Sequence, residues 1–237
     1  MTQVKTLSRV ALLLTTTAAL FLTSCSKNKD VDAQSLTLRD QTLSVTIPDG
    51  TSQSITGPGV TSGTIARAGS VYTVTNFKQA YSTGPGQPAD GNLYWRFGVN
   101  EAGTPANFQI KFTGIATGDI TSADSLKYID KSFATVVYAD WASASNPGSS
   151  PAGANVIGMN NVTGTGIPPA VLAYANGAGW YTYAWSAGHT VTPVSGRVLL
   201  WKSGTTIYKF DIQSIYLNGV TGGSFPYYNF RYEELIP

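Results

Sequence analysis

Apolar side chains in this chain recur at every second position, and almost nowhere at the three-and-four spacing that a helix needs. Val71-Tyr72-Thr73-Val74-Thr75-Asn76-Phe77 and Phe108-Gln109-Ile110-Lys111-Phe112 alternate cleanly. Arg197 to Trp201 and Ile207 to Ile212 flank Lys202-Ser203-Gly204-Thr205, which predicts a hairpin. Asn92 to Val99, Trp180 to Trp185 and Tyr227 to Tyr232 are further strand-like runs, as are Leu36 to Leu38 and Leu43 to Ile47. Pro48-Asp49-Gly50, Thr83 to Pro88, Ser186-Ala187-Gly188, Asn218-Gly219 and Gly222-Gly223 punctuate them, which is how 25 Gly and 12 Pro are spent. Phe133 to Ala139 is mostly apolar and predicts a strand buried on both faces. Ser122 to Lys131 predicts one short helix capped by Ser122 or Asp124. From Ser143 to Ala170 the chain is largely Gly, Pro, Asn, Ser and Ala, and is expected to be irregular. No internal repeat is visible. The expectation is an all-β, single, sandwich-like domain with long Gly/Pro/Asn-rich loops.

The N-terminus has a different character. Lys5 and Arg9 precede the apolar run Ala11 to Leu22, which ends in Leu22-Thr23-Ser24-Cys25. A positive start, a short apolar core and small residues at the cut describe a secretory signal. The run is shorter than the ~20 residues that span a bilayer. Cys25 is the only cysteine, so cleavage before it leaves one thiol to carry lipid and none to form an internal disulfide. Residues 1–24 therefore read as a lipoprotein signal peptide, residues 25–35 as lipidated Cys25 on a flexible tether, and residues 36–237 as the β domain. Ser26 is not the aspartate that suggests retention at an inner membrane. The mixed Lys/Asp run Lys27 to Asp32 resembles the surface-export tethers of Bacteroidetes lipoproteins. The expected location is the outer membrane, lipid-anchored and exposed at the cell surface.

Removing the signal takes away Lys5 and Arg9, so the formal charge of +2 disappears. A neutral chain with 12% charged residues argues against nucleic acid as a partner. His189 is the only histidine, and Met159 is the only methionine outside the signal. No zinc spacing and no phosphate loop is present. Glu101, Asp124, Asp130, Asp140 and Asp211 could supply a carboxylate pair, but they match the ordinary solvated background, and no catalysis is expected. The aromatic residues say more. Tyr181, Tyr183 and Trp185 fall on one face of a strand with Trp180 on the other. They fill a core or form a platform for a flat ligand, a sugar ring or a porphyrin.

Gly179-Trp180-Tyr181-Thr182-Tyr183, Val191-Thr192-Pro193, Gly196 to Ile212 and Phe230-Arg231-Tyr232-Glu233-Glu234-Leu235 follow one another in an order that resembles the HmuY family of Bacteroidetes lipoproteins. The likeness covers residues 179–235 and weakens toward the N-terminus. There Phe108 to Phe112 stands where the family often has a Trp-Asp strand. The resemblance implies an all-β fold that binds haem outside the cell and passes it to an outer-membrane receptor, here a TonB-dependent one. It implies two axial side chains, two histidines or two methionines, from loops about thirty residues apart. Met159 and His189 have that spacing and both lie in Gly-rich loops, so they are the candidate axial ligands. A His/Met pair holds haem iron and favours the reduced metal. Trp180 and Tyr181 would wall the pocket. The rival expectation is a glycan-binding or adhesive lipoprotein that uses Tyr94, Tyr181, Tyr183 or Trp185 as stacking platforms. A third is an interaction subunit of a surface complex that takes no small ligand.

Overall fold

A computed structural model describes residues 44–80, 92–113 and 118–237. The expected signal peptide, Cys25 with its expected tether, the strand expected at Leu36 to Leu38 and the loop expected at Thr83 to Pro88 lie outside the described residues. Ser44–Pro237 forms one compact unit.

The fold is all-β, as the alternation predicts, and is built from three sheets. The largest has seven strands: β1 (Ser52–Ser54), β2 (Val60–Ala68), β3 (Val71–Gln79), β14 (Tyr228–Leu235), β13 (Thr206–Ser214), β12 (Arg197–Ser203) and β8 (Ser125–Asp130), in that spatial order. Every neighbouring pair is antiparallel. The second is antiparallel, with β5 (Glu101–Ala102), β4 (Leu93–Arg96), β6 (Ile110–Thr113) and β7 (Asp119–Thr121) in that order. The third holds β11 (Thr190–Pro193), β10 (Tyr181–Ala184) and β9 (Met159–Thr163), with β9 parallel to β10. Parallel strands need a long crossover. The connection from β9 to β10 supplies it and carries the short helix α1 (Pro169–Leu172).

Aromatic rings lock the four-stranded sheet onto one face of the seven-stranded one. Trp95 of β4 meets Phe77 of β3 and Phe230 of β14 edge-on, at 5.2 and 5.3 Å. Phe112 of β6 stacks on Tyr228 of β14 at 3.8 Å. The opposite face of the large sheet has its own smaller core of Val198, Leu200, Ile207 and Leu235 under Phe133, Val136 and Ala144.

Three local expectations are corrected. Ser122 to Lys131 is not a helix. Its centre is the edge strand β8, because β12 presents an unpaired ladder and Leu126 and Tyr128 alternate with Lys127 and Ile129 well enough to fill it. Leu126 stands opposite Trp201 and Tyr128 opposite Leu199, over the main core, while Ile129 opposite Val198 faces the smaller one. Phe133 to Ala139 is not a strand. It enters two short 3-10 turns, Phe133–Thr135 and Tyr138–Ala142, which place Phe133 and Val136 inward at a spacing of three and leave Val137 53% exposed. Residues 143–170 are not wholly irregular, since β9 and the start of α1 lie within them.

Candidate functional site

Burial falls steadily along β10 toward its C-terminal end. Tyr181 is sealed in the core, Tyr183 and Trp185 are half-buried, and His189 is exposed. The strand ends in the turn Ser186–Gly188, with Gly188 at φ 72°. His189 follows at φ 54°, a left-handed conformation in which a non-glycine side chain is uncommon. β11 then returns antiparallel, with Thr190 opposite Ala184. The loop after β9 braces the turn, since the Thr165 amide donates to Ser186 Oγ at 3.2 Å.

This geometry brings three predicted residues together. Tyr183 Oη and His189 Nδ1 are hydrogen-bonded at 2.9 Å. Trp185 stands against the imidazole at 5.2 Å and 88°. Trp185 and Tyr183 meet at 6.3 Å and 71°. In the tautomer that donates Nδ1–H to the phenol oxygen, Nε2 presents its lone pair. No other described residue bonds that nitrogen. Burial, with a smaller effect from Tyr216, pushes the Tyr183 phenol above its ordinary pKa and keeps it protonated at neutral pH.

The fold does not bring Met159 to His189, so the expected axial pair is corrected. Met159 is 2% exposed, in the main core on β9, opposite Tyr181. His189 precedes β11 on the other side of β10. The positions on β10 facing Met159 and Thr190 are Tyr181 and Ala184, three residues or roughly 10 Å apart along the strand. Two ligands of one iron lie roughly 4–5 Å apart (about twice a metal–ligand bond). Trp180 and Tyr181 are core residues rather than pocket walls: the Trp180 indole N–H donates to the Gly118 carbonyl, and both rings are buried. Tyr94 is also buried, tilted against Phe108.

Four of the five candidate carboxylates are occupied elsewhere. Glu101 pairs with Arg96, Asp130 with Arg197, Asp140 with Lys131 and Asp211 with Arg231. No group of three His, Cys, Asp or Glu among the described residues is arranged to hold a metal ion. No helix among them is long and apolar enough to cross a membrane.

Two features escaped the sequence reading. Arg197 grips Asp130 through Nε and Nη2 at 2.7 and 3.0 Å, and Nη1 reaches Asn160 Oδ1 and the Gly179 carbonyl at 2.7 and 2.6 Å. It thereby ties the edge of the large sheet to β9 and β10. Trp141 stands in a cleft beside Lys127 and Lys202. A spacing of 61 residues between Trp141 and Lys202 offers no local signal, and only the β8–β12 pairing reveals it. Comparison with family models, characterised proteins and solved structures finds no match to this chain.

Proposed function

We propose that the protein is a surface-anchored haem-capturing lipoprotein in which His189 carries the iron, Tyr183 orients the imidazole and Trp185 lies beside the macrocycle. The hydrogen bond between His189 Nδ1 and the Tyr183 hydroxyl supports this reading above all. A ligating histidine nearly always spends its other nitrogen on such a partner, which fixes the ring and raises its basicity. A single histidine suffices to hold haem iron. His189 would hold the iron through Nε2, and Trp185, at 5.2 Å and 88° to the imidazole, would supply an apolar neighbour to the bound group. The left-handed backbone at His189 is the kind of local cost, about 1–3 kcal/mol, that concentrates at binding sites. Cargo held on an exposed turn is accessible to a second protein, which fits hand-over to a TonB-dependent outer-membrane receptor. Lipid on Cys25 would keep the domain at the outer membrane, and loss of palmitate labelling in Cys25→Ala tests that anchor.

Haemin titration followed at the Soret band tests the ligand. The shift is expected in the native chain, lost in His189→Ala and retained in the volume-conserving core variant Met159→Leu. No shift in the native chain, or one that survives His189→Ala, overturns the assignment. The glycan-binding alternative has less support at this cluster, because rings crossing at 71° and 88° offer no common plane for sugars to lie on. A glycan-array signal without a haem signal would restore it.

A further inference from the structure

β8 and β12 put two lysines on one face of the large sheet. Lys127 stands opposite Leu200 and Lys202 opposite Ser125. Side chains two apart on a strand share a face, so Ser125, Lys127, Leu200 and Lys202 all point to the side covered by the 3-10 turns. Trp141 closes that cover. Its ring centroid lies 4.9 Å from Lys127 Nζ and 5.3 Å from Lys202 Nζ. Lys127 Nζ also donates to the Trp141 carbonyl at 3.1 Å, which fixes one ammonium against the indole.

Around them opens a cleft of about 460 Å3, also lined by Asp124, Asn146, Asn155 and Ser203. Among the described residues neither lysine has a carboxylate partner, whereas Lys131, Arg197, Lys209 and Arg231 all do. Two ammoniums therefore share one half-buried indole, against the single carboxylate of Asp124 in the lining. Like charges brought together without counter-ions are relieved by an anion. Beside Ala123, Leu126 and Gly204, the lining offers the amides of Asn146 and Asn155, the hydroxyls of Ser125 and Ser203 and the Asp124 carboxylate, groups that read sugar hydroxyls, next to an aromatic ring that accepts a sugar's C–H face. The volume lies within the roughly 300–1,000 Å3 of ordinary small-molecule sites.

We propose that this cleft binds an acidic saccharide, a sugar bearing a carboxylate or a sulfate ester, through Lys127, Lys202 and Trp141. The site lies on the opposite face of the large sheet from the main core and uses no residue of the His189 cluster. Its ligand is held by charge and hydroxyl contacts rather than by a metal bond.

Calorimetric titration of the full-length chain with glucuronic acid, sulfated N-acetylglucosamine, glucose and inorganic sulfate tests it. One of the two acidic sugars is expected to bind at least tenfold more tightly than glucose or sulfate, and to weaken as salt is raised. Lys202→Gln, which breaks no side-chain hydrogen bond among the described residues, is expected to cost about tenfold in affinity, and Trp141→Ala a similar factor. His189→Ala should leave it unchanged. Absence of acidic-sugar binding overturns the proposal, as does equal binding of inorganic sulfate or full affinity in a folded Lys202→Gln chain.

Discussion

Replacing Lys209 by Met should destabilise the domain by about 3–4 kcal/mol. Lys209 lies on β13 and is almost fully buried, yet each of its three ammonium protons has an acceptor. Nζ donates to the Phe133 carbonyl at 3.0 Å and the Val136 carbonyl at 3.2 Å, and meets Glu233 Oε2 at 2.8 Å. The residue thus pins the first 3-10 turn to the sheet, and with it the cover that carries Trp141. Methionine fills a similar volume but donates nothing. Two buried carbonyls then lose a donor, at ~1 kcal/mol or more each. Glu233 also loses its counter-ion, and breaking a buried pair costs about 3–5 kcal/mol when both ends are dry. Because the Glu233 side chain keeps 20% exposure and a hydrogen bond from Ser70, its share shrinks to about 1–2 kcal/mol, and with the two carbonyls the total is about 3–4 kcal/mol. For a domain of this size each kcal/mol lowers Tm by about 2–4 °C, so a fall of roughly 6–16 °C is expected. Urea unfolding at pH 7 should show a lower midpoint at unchanged slope. Burial raises the Glu233 carboxyl, but the hydrogen bonds from Lys209 and Ser70 and the Lys209 charge outweigh it and leave the group below its ordinary pKa. The pair therefore contributes fully above the unfolded value near 4.5 and fades as pH falls through the lower folded value. The gap between native and Lys209→Met chains should narrow below pH 4. A loss under 1 kcal/mol at pH 7, or a gap that stays constant to pH 2.5, refutes the reasoning.

Gly179→Ala should prevent β9 from pairing with β10, since the added methyl would stand 2.1 Å from the Gly158 carbonyl oxygen and 2.3 Å from the Asn160 nitrogen, both backbone atoms; a soluble, cooperatively melting variant would contradict this. Gly177→Ala meets nothing within 4 Å and pays only for its φ of 76°, so its melting point should fall by just a few degrees, for a cost of about 1–2 kcal/mol. Arg197→Lys keeps the charge but cannot reach Asp130, Asn160 and Gly179 together, and chemical denaturation should register a loss of about 2–3 kcal/mol. The Arg197 hydrogen bond and charge outweigh desolvation and hold the Asp130 carboxyl below its usual range, so its protonation, followed by carbon NMR, should shift upward in pH in Arg197→Lys.

The strands were legible wherever the alternation had a single reading. The β12–β13 hairpin and β3 lie where the sequence puts them, because each presents a row of apolar side chains to the main core: Leu199 and Trp201, Tyr208, Phe210 and Ile212, Val74 and Phe77. Ser122 to Lys131 had two readings. Leu126 and Ile129 are three apart, as on a helix, while Leu126 and Tyr128 are two apart, as on a strand. The choice was made seventy residues away, by the open edge of β12. Phe133 to Ala139 misled for the opposite reason. Its apolar side chains do face a core, but a small one on the back of the sheet that needs a cover rather than another strand. Asp140 settles the local conformation by accepting the Val137 amide and the Lys131 ammonium on one oxygen, which turns the chain where a strand would continue.

The same distinction governs the candidate site. Apart from Met1, the chain holds one methionine and one histidine, and their spacing suggested a pair. Spacing in sequence constrains distance only if both residues sit in loops of one end of the fold. Gly158-Met159-Asn160 reads as such a loop, yet the glycine is there because the Asp119 carboxylate crowds it, within 2.3 Å of where a Cβ would lie. Met159 then begins a strand whose first side chain faces the core. His189 follows a glycine too, but that glycine turns the chain at φ 72° and meets only Thr190. The two glycines look alike in the sequence and act in opposite senses, one admitting close packing and the other reversing the chain at the surface. A ligand site on this fold is thus expected where the second kind of glycine ends a strand of decreasing burial. Tyr183→Phe separates the two roles left to the cluster: it should leave folding intact to within about 1 kcal/mol, the worth of one hydrogen bond. It should also weaken haemin binding tenfold or more if Tyr183 orients the ligating imidazole, and equal affinity in that variant would remove Tyr183 from the site.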